Sequence, residues 1–133
     1  MDSAEQSEKA LRRAIEDHPE ADLKILHAYG IEDTSAARGA VITLDDEVLK
    51  VGREHAETIF EEAREIAADA GYEGEIETVA QQGDPEAVIT DHAEEADIVY
   101  IGSHSRTGST PILLGSVAEK VVRRSPVSVM VVK

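Results

Sequence analysis

The chain has 133 residues, which suits one domain with a single hydrophobic core. Its formal charge is −15, from 28 acidic and 13 basic residues, so its surface repels nucleic-acid backbones and anionic membranes. Aromatic residues make up only 3%, which leaves few rings on which single-stranded bases could stack. Cysteine is absent, which excludes a disulfide framework and thiol chemistry.

Two features bear on where the protein works. The acidic excess indicates adaptation to high salt, because screening over a few ångströms removes most of the self-repulsion of such a surface. No apolar run approaches the length of a membrane span, and the first five residues lack the pattern of a signal peptide. We therefore expect a cytoplasmic protein from a halophilic cell.

Helices and strands alternate along the sequence. Helices are predicted at residues 3–17, 45–70, 85–95 and 116–124, and strands at 23–29, 75–81, 97–102 and 127–132. The strand at 97–102 is apolar throughout, as expected when both faces are buried. Such alternation predicts one α/β domain over residues 1–133, with a parallel sheet and helices on both faces.

Short motifs mark several helix ends. The apolar stripe of the second helix runs to Ala70, and Gly71 suits its C-terminal cap. The pair Asp84-Pro85 suits the N-cap and the first position of the third helix. Ser116 and Glu119 have the spacing of a capping box, which predicts Ser116 as the N-cap of the fourth.

The stretch from Gly102 to Ser116 is the part of the sequence that indicates chemistry. It follows an apolar strand and precedes a helix, and ligands of open parallel sheets lie beyond the carboxyl ends of the strands. A helix N-terminus offers free N–H groups to a phosphate, and glycine lets the anion approach the backbone. Arg106 is the one cation of the loop. Turn formation alone would also explain Gly102 and Gly115, so both interpretations stay open.

The spacing in this stretch resembles that of a known family. The stretch contains Gly102-Ser103-His104-Ser105, then nine residues, and then Gly115-Ser116. This spacing is similar to the universal stress protein pattern, which is Gly-x-x-Gly, nine residues and Gly-[Ser/Thr]. The flanks at 96–99 and 117–122 are similar too, and the likeness extends over nearly the whole chain. The resemblance implies a three-layer, Rossmann-like fold of the adenine nucleotide alpha hydrolase-like type, with parallel strands in the order 3-2-1-4-5.

The resemblance also implies a function and a site. The expected protein binds ATP or ADP, with or without Mg²⁺, in a stress response, and forms a homodimer through strand 127–132. Its nucleotide-binding residues would be Gly102, Ser105, Gly115, Ser116 and Val117 at the phosphates and ribose, Arg106 and Thr107 over the phosphates, and Asp2, Ala28 and Ile101 near the base and ribose.

Two departures from the family pattern count against this site. Ser105 replaces the second glycine of the pattern. If the backbone at this position is left-handed, the serine adds about 1–3 kcal/mol of strain to the folded state. If its φ is negative, the serine hydroxyl does not disturb the loop. The family's first, central strand has no counterpart here, so Asp2 lacks the strand that would carry it. We expect an N-terminal truncation; the alternatives are direct pairing of strands 23–29 and 97–102, or a segment from another chain between them.

Other polar residues have plainer interpretations. His27 is predicted to be packed, and His104 is equally a ligand contact or a solvated loop residue. Ser103 and Ser109 are assigned no role. None of the five histidines has metal-ligand spacing, and no nucleophile elbow appears, so the sequence predicts neither a metal site nor catalytic residues.

Two further functions remain open. The first is a dimeric interaction module that binds no nucleotide, favoured by Ser105 and by the missing strand. Its dimer would form because strand 127–132 is apolar on both faces and invites antiparallel pairing with a second copy. The second is slow ATP hydrolysis, for which no residue forms a convincing general base.

Overall fold

The computed structural model describes residues 5–29, 46–103 and 115–133. The predicted alternation is confirmed, with element ends shifted by a few residues at most. The elements are α1 (Glu5–Asp17), β1 (Leu23–Tyr29), α2 (Asp46–Asp69), β2 (Ile76–Gln82), α3 (Pro85–Ala93), β3 (Ile98–Gly102), α4 (Ser116–Arg124) and β4 (Ser128–Val132). Within these ranges, no helix combines the length and the apolar character needed to cross a membrane.

The four strands form two parallel pairs. β1 pairs with β2 from Leu23 opposite Ile76 onward, and β3 pairs with β4 from Ile98 opposite Ser128 onward. These neighbours agree with the order 3-2-1-4-5 when its first strand is left out. In the described ranges β1 and β3 are not hydrogen-bonded to each other, so the alternative of direct pairing between them is not observed.

β3 differs from the predicted strand that is buried on both faces. Each of its five residues, from Ile98 to Gly102, is only half-buried. The reason is that, within the described residues, β3 is hydrogen-bonded to a strand on one side alone, and an edge strand is less buried than a central one. That part of the prediction is wrong.

The core lies where α1 and α2 cover β1. Apolar residues recur at helical spacing along both helices and meet Ile25 of β1. The stripe predicted to reach Ala70 stops earlier, because α2 ends at Asp69 and Ala70 is exposed. The buried cluster comprises Leu11, Ile15, Ile25, Ala56, Ile59, Phe60, Ala63, Ile66 and Ala67.

Two helix ends follow their predicted signals. Gly71 has a φ of 79°, and its N–H and that of Tyr72 donate to the carbonyls near the end of α2, which is the Schellman arrangement. Asp84 is the N-cap of α3 and Pro85 its first helical residue, although the Asp84 side chain makes no capping hydrogen bond.

The end of α1 is fastened to the middle of β3. The Tyr100 hydroxyl donates to Asp17 Oδ2 at 2.7 Å, and the ring of His18 lies edge-on to that of Tyr100 with centroids 5.7 Å apart. This hydrogen bond lowers the pKa of Asp17. Desolvation and the same hydrogen bond raise the pKa of Tyr100 to about 12. α1 is thereby held along the strand that leads into the predicted phosphate loop.

The Tyr100–Asp17 hydrogen bond predicts a loss of stability at high pH. Because folding raises the pKa of Tyr100 from its ordinary value of 10.0 to about 12, the folded protein keeps the phenol proton where the unfolded chain releases it. The free energy of unfolding should therefore fall as pH rises between those two values. Tyr100→Phe should make this fall shallower, as measured by urea unfolding across that range. Burial also raises the pKa of Tyr72, but this residue is present in both proteins and affects both alike. An equal fall of the free energy of unfolding with pH in the wild type and in Tyr100→Phe would contradict the prediction.

Candidate functional site

Two strands end where one helix begins. Gly102 of β3 pairs with Val132 of β4, and the N–H of Ser103 donates to the Val132 carbonyl at 2.9 Å. The N–H of Gly115 donates to Ser103 Oγ at 3.1 Å. The two ends of the predicted phosphate loop are therefore bonded to each other, and we call Gly102, Ser103 and Gly115 the loop junction.

Ser103 has a place that the sequence did not reveal. It was predicted to have no role, yet it is only 2% exposed and its hydroxyl accepts the N–H of Gly115. Its one signal in the sequence is its position directly after the glycine that ends β3. A solvated loop serine has the same signal, so the sequence does not separate the two.

α4 spans Ser116–Arg124 as predicted, but its N-cap is not the predicted Ser116. Gly115 is its N-cap, with φ −60° and ψ 154°, and Ser116 is its first helical residue. The predicted capping box from Ser116 to Glu119 is therefore wrong; the Glu119 N–H instead donates to the Gly115 carbonyl at 2.9 Å. The reason is tertiary, because the Ser103 hydroxyl holds the Gly115 N–H and starts the helix there. The first N–H groups of α4 have no partner within the helix and carry partial positive charge.

Gly102 is required by the packing of α1. A Cβ atom at this position would lie 2.5 Å from the backbone carbon and oxygen of Gln6, in the first turn of α1. From the sequence we expected an anion to approach the backbone at glycine. At Gly102 the close approach is instead made by α1 of the same chain. Since α1 is anchored at its other end by Tyr100, this contact sets how α1 lies against β3.

α4 concentrates cations in a strongly acidic protein. Lys120 and Arg124 pair with Glu86 of α3, at 3.0 and 3.5 Å, and the Glu86 side chain is only 11% exposed. Arg123 pairs with Glu119 along the helix at 2.9 Å. α3 therefore holds the body of α4, while Ser103 holds its beginning.

The other predicted contacts lie in different parts of the fold. Ile101 is half-buried in β3 beside Gly102, and Val117 is half-buried in the first turn of α4, next to the exposed Ser116. Ala28 is half-buried in β1, which belongs to the other strand pair. Outside the described residues lie Asp2, Ser105, Arg106 and Thr107, together with His104 and Ser109.

His27 is a packed residue, as predicted. It is 9% exposed, and its ring lies edge-on to that of His55 with centroids 5.9 Å apart. Within the ranges that the structure describes, no three His, Cys, Asp or Glu side chains come together in a way that could hold a metal ion.

The fold and the loop junction define a Rossmann-like α/β domain with a candidate ligand site at the carboxyl end of a parallel strand. The model of the universal stress protein family matches residues 1–133. Universal stress protein YxiE of Bacillus subtilis is 31% identical over 142 residues, which cover 100% of this chain and 95% of that protein. The chain therefore belongs to the universal stress protein family.

Solved structures agree with this assignment. The structure of the protein MJ0577 is 27% identical, with a TM-score of 0.77 over 100% of this chain and 91% of that one. A universal stress protein crystallised in complex with cAMP is 26% identical, with a TM-score of 0.67 over 99% of this chain and 90% of that one. The family and the Rossmann-like fold expected from the sequence are both confirmed.

Replacing Gly102 by alanine should destabilise the protein. The new methyl group meets the backbone of Gln6, which cannot move without shifting α1, so we expect the free energy of unfolding to fall by about 1–3 kcal/mol in urea titrations. Val51→Ala is the control, because Val51 is 65% exposed on α2 and its replacement brings no new atom against another element. Equal losses in the two variants would rule out a special requirement at Gly102.

Proposed function

We propose that this protein binds an adenine nucleotide, ATP or ADP, at the loop junction and uses that binding as a signal in a stress response. The observation that carries the proposal is the hydrogen bond from the Gly115 N–H to Ser103 Oγ. It sets the N-terminus of a nine-residue helix at the carboxyl end of a parallel strand, where such sheets bind anions. The cAMP bound by a relative that is 26% identical supports an adenine nucleotide as the ligand.

The proposed contacts divide between the two ends of the nucleotide. The N–H groups at the start of α4 bind phosphate oxygens, and the exposed Ser116 hydroxyl donates to them. Mg²⁺, where present, is bound chiefly through the phosphates. From the family resemblance we propose contacts to the phosphates and ribose by Gly102, Ser105, Arg106, Thr107, Gly115, Ser116 and Val117. We propose contacts to the base and ribose by Asp2, Ala28 and Ile101.

The charge distribution favours a phosphate at α4 over other parts of the surface. A net charge of −15 repels anions in general, whereas the start of α4 offers partial positive charge and N–H groups that have no partner within the helix. At about 1 M salt the Debye length is about 3 Å, so the general repulsion is screened while direct N–H contacts persist. This supports nucleotide binding in the cytoplasm of a salt-adapted cell, the setting that we propose.

Calorimetric titration with ATP and ADP at about 1 M salt tests this function. We expect saturable binding, and Ser116→Asp should weaken it at least about tenfold, because its carboxylate lies where the phosphates bind. Thr58→Asp is the control, since Thr58 is an exposed hydroxyl residue on α2, an element that does not form the loop junction or β4. No heat from either nucleotide at concentrations of about 1 mM would refute the proposal.

We also propose a homodimer formed through β4. In the described sheets β4 pairs with β3 alone, and four of its five residues are half-buried apolar residues. Antiparallel pairing with a second copy would satisfy the outer edge of β4 and cover these side chains. The same observation favours the second candidate function, an interaction module that dimerises without binding nucleotide.

Val129→Lys should convert the dimer into a monomer, because it places a charge within the strand that pairs. Light scattering would then give about half the wild-type mass. Val51→Lys is the control, since Val51 is 65% exposed on α2 and its replacement should leave the dimer intact. A monomeric wild type, or an unchanged mass for Val129→Lys, would contradict pairing through β4.

A further inference from the structure

We infer that Ser103 is a positioning residue for the nucleotide phosphates, acting through Gly115. The inference rests on the proposed nucleotide binding. It gives a role in that binding to Ser103, which is not among the residues expected to contact the nucleotide. Ser103 lies in the described structure between the end of β3 and the start of α4. It would act by setting where the first turn of α4 presents its N–H groups.

Two hydrogen bonds tie Ser103 to two different elements. Its N–H donates to the Val132 carbonyl at 2.9 Å, which extends the pairing of β3 and β4. Its hydroxyl oxygen accepts the Gly115 N–H at 3.1 Å. With only 2% of the residue exposed, water does not compete for either bond. The start of α4 is therefore fixed relative to the end of the sheet by one buried side chain.

The bond to Gly115 also determines which N–H groups are offered to an anion. A helix leaves its first four N–H groups without a partner inside the helix, and here the first of these belongs to Gly115. Ser103 occupies that one. The phosphates would therefore meet the N–H groups of Ser116, Val117 and Ala118. Without the hydroxyl, the Gly115 N–H is left unsatisfied and the N-cap is released from the sheet.

A positioning role and a merely structural role have different consequences for binding. A bond that only stabilised the fold would lower the free energy of unfolding and leave the preference among ligands unchanged. A bond that positions α4 affects ligands that carry phosphate and spares those that lack it. The ratio of affinities for ATP and adenosine separates the two roles.

The test compares Ser103→Ala, Ser103→Thr and Ala63→Gly with the wild type by calorimetry with ATP and with adenosine. Ser103→Ala should bind ATP about tenfold more weakly, the effect of one lost hydrogen bond, and bind adenosine as before. Ser103→Thr keeps a hydroxyl and should recover ATP affinity. Ala63→Gly destabilises α2 within the core, away from the junction, and should leave both affinities unchanged.

The outcomes separate the inference from the proposed function. Equal effects of Ser103→Ala on ATP and adenosine, or no effect on either, would overturn the positioning role while nucleotide binding stands. A wild type that binds neither ligand would remove the proposed function itself, and the positioning role with it. Should Ser103→Ala fail to fold, Ser103→Cys replaces the hydroxyl by a weaker acceptor and is expected to lower the same affinity ratio.

Discussion

The hydrogen bond between the Gly115 N–H and Ser103 Oγ joins two parts of the chain on which the candidate site depends. Through it the start of α4 is attached to the end of β3, and through the Ser103 N–H to the end of β4 as well. The identity of the N-cap and the set of N–H groups left open both follow from this bond. The same contact brings together Ser103 and Gly115, which lie 12 residues apart in the sequence.

α1 connects the two strand pairs, which share no hydrogen bonds in the described ranges. Leu11 and Ile15 on one side of α1 enter the core formed with α2 and β1. At either end, α1 meets β3 through the backbone of Gln6 against Gly102 and through Asp17 against Tyr100. Packing of α1 therefore links the two halves where strand pairing does not. α3 also links them, because His92 bonds to Gln81 of β2 and Glu86 pairs with Lys120 of α4.

α4 is the least acidic helix of an acidic protein, with three basic residues and one acidic residue. Glu86 pairs with two basic residues of α4 and is largely buried, so these charges serve the packing of α3 on α4. The N-terminus of α4 carries the partial positive charge of the helix dipole. The proposed phosphate site therefore depends on the dipole and the N–H groups at the start of α4, while distant carboxylates are screened at high salt.

The order and type of the helices and strands, the helix ends at Gly71 and Asp84-Pro85, and the family were all readable from the sequence. Each depends on neighbours along the chain: apolar periodicity, the φ preference of one residue, or the spacing of glycines. Tertiary structure decided the N-cap at Gly115, the burial of Ser103, the half-burial of β3 and the contact of Gly102 with Gln6. Each of these depends on a partner that is distant in the sequence, or on which edge of a strand is paired. Neither can be predicted from the pattern of neighbouring residues along the chain.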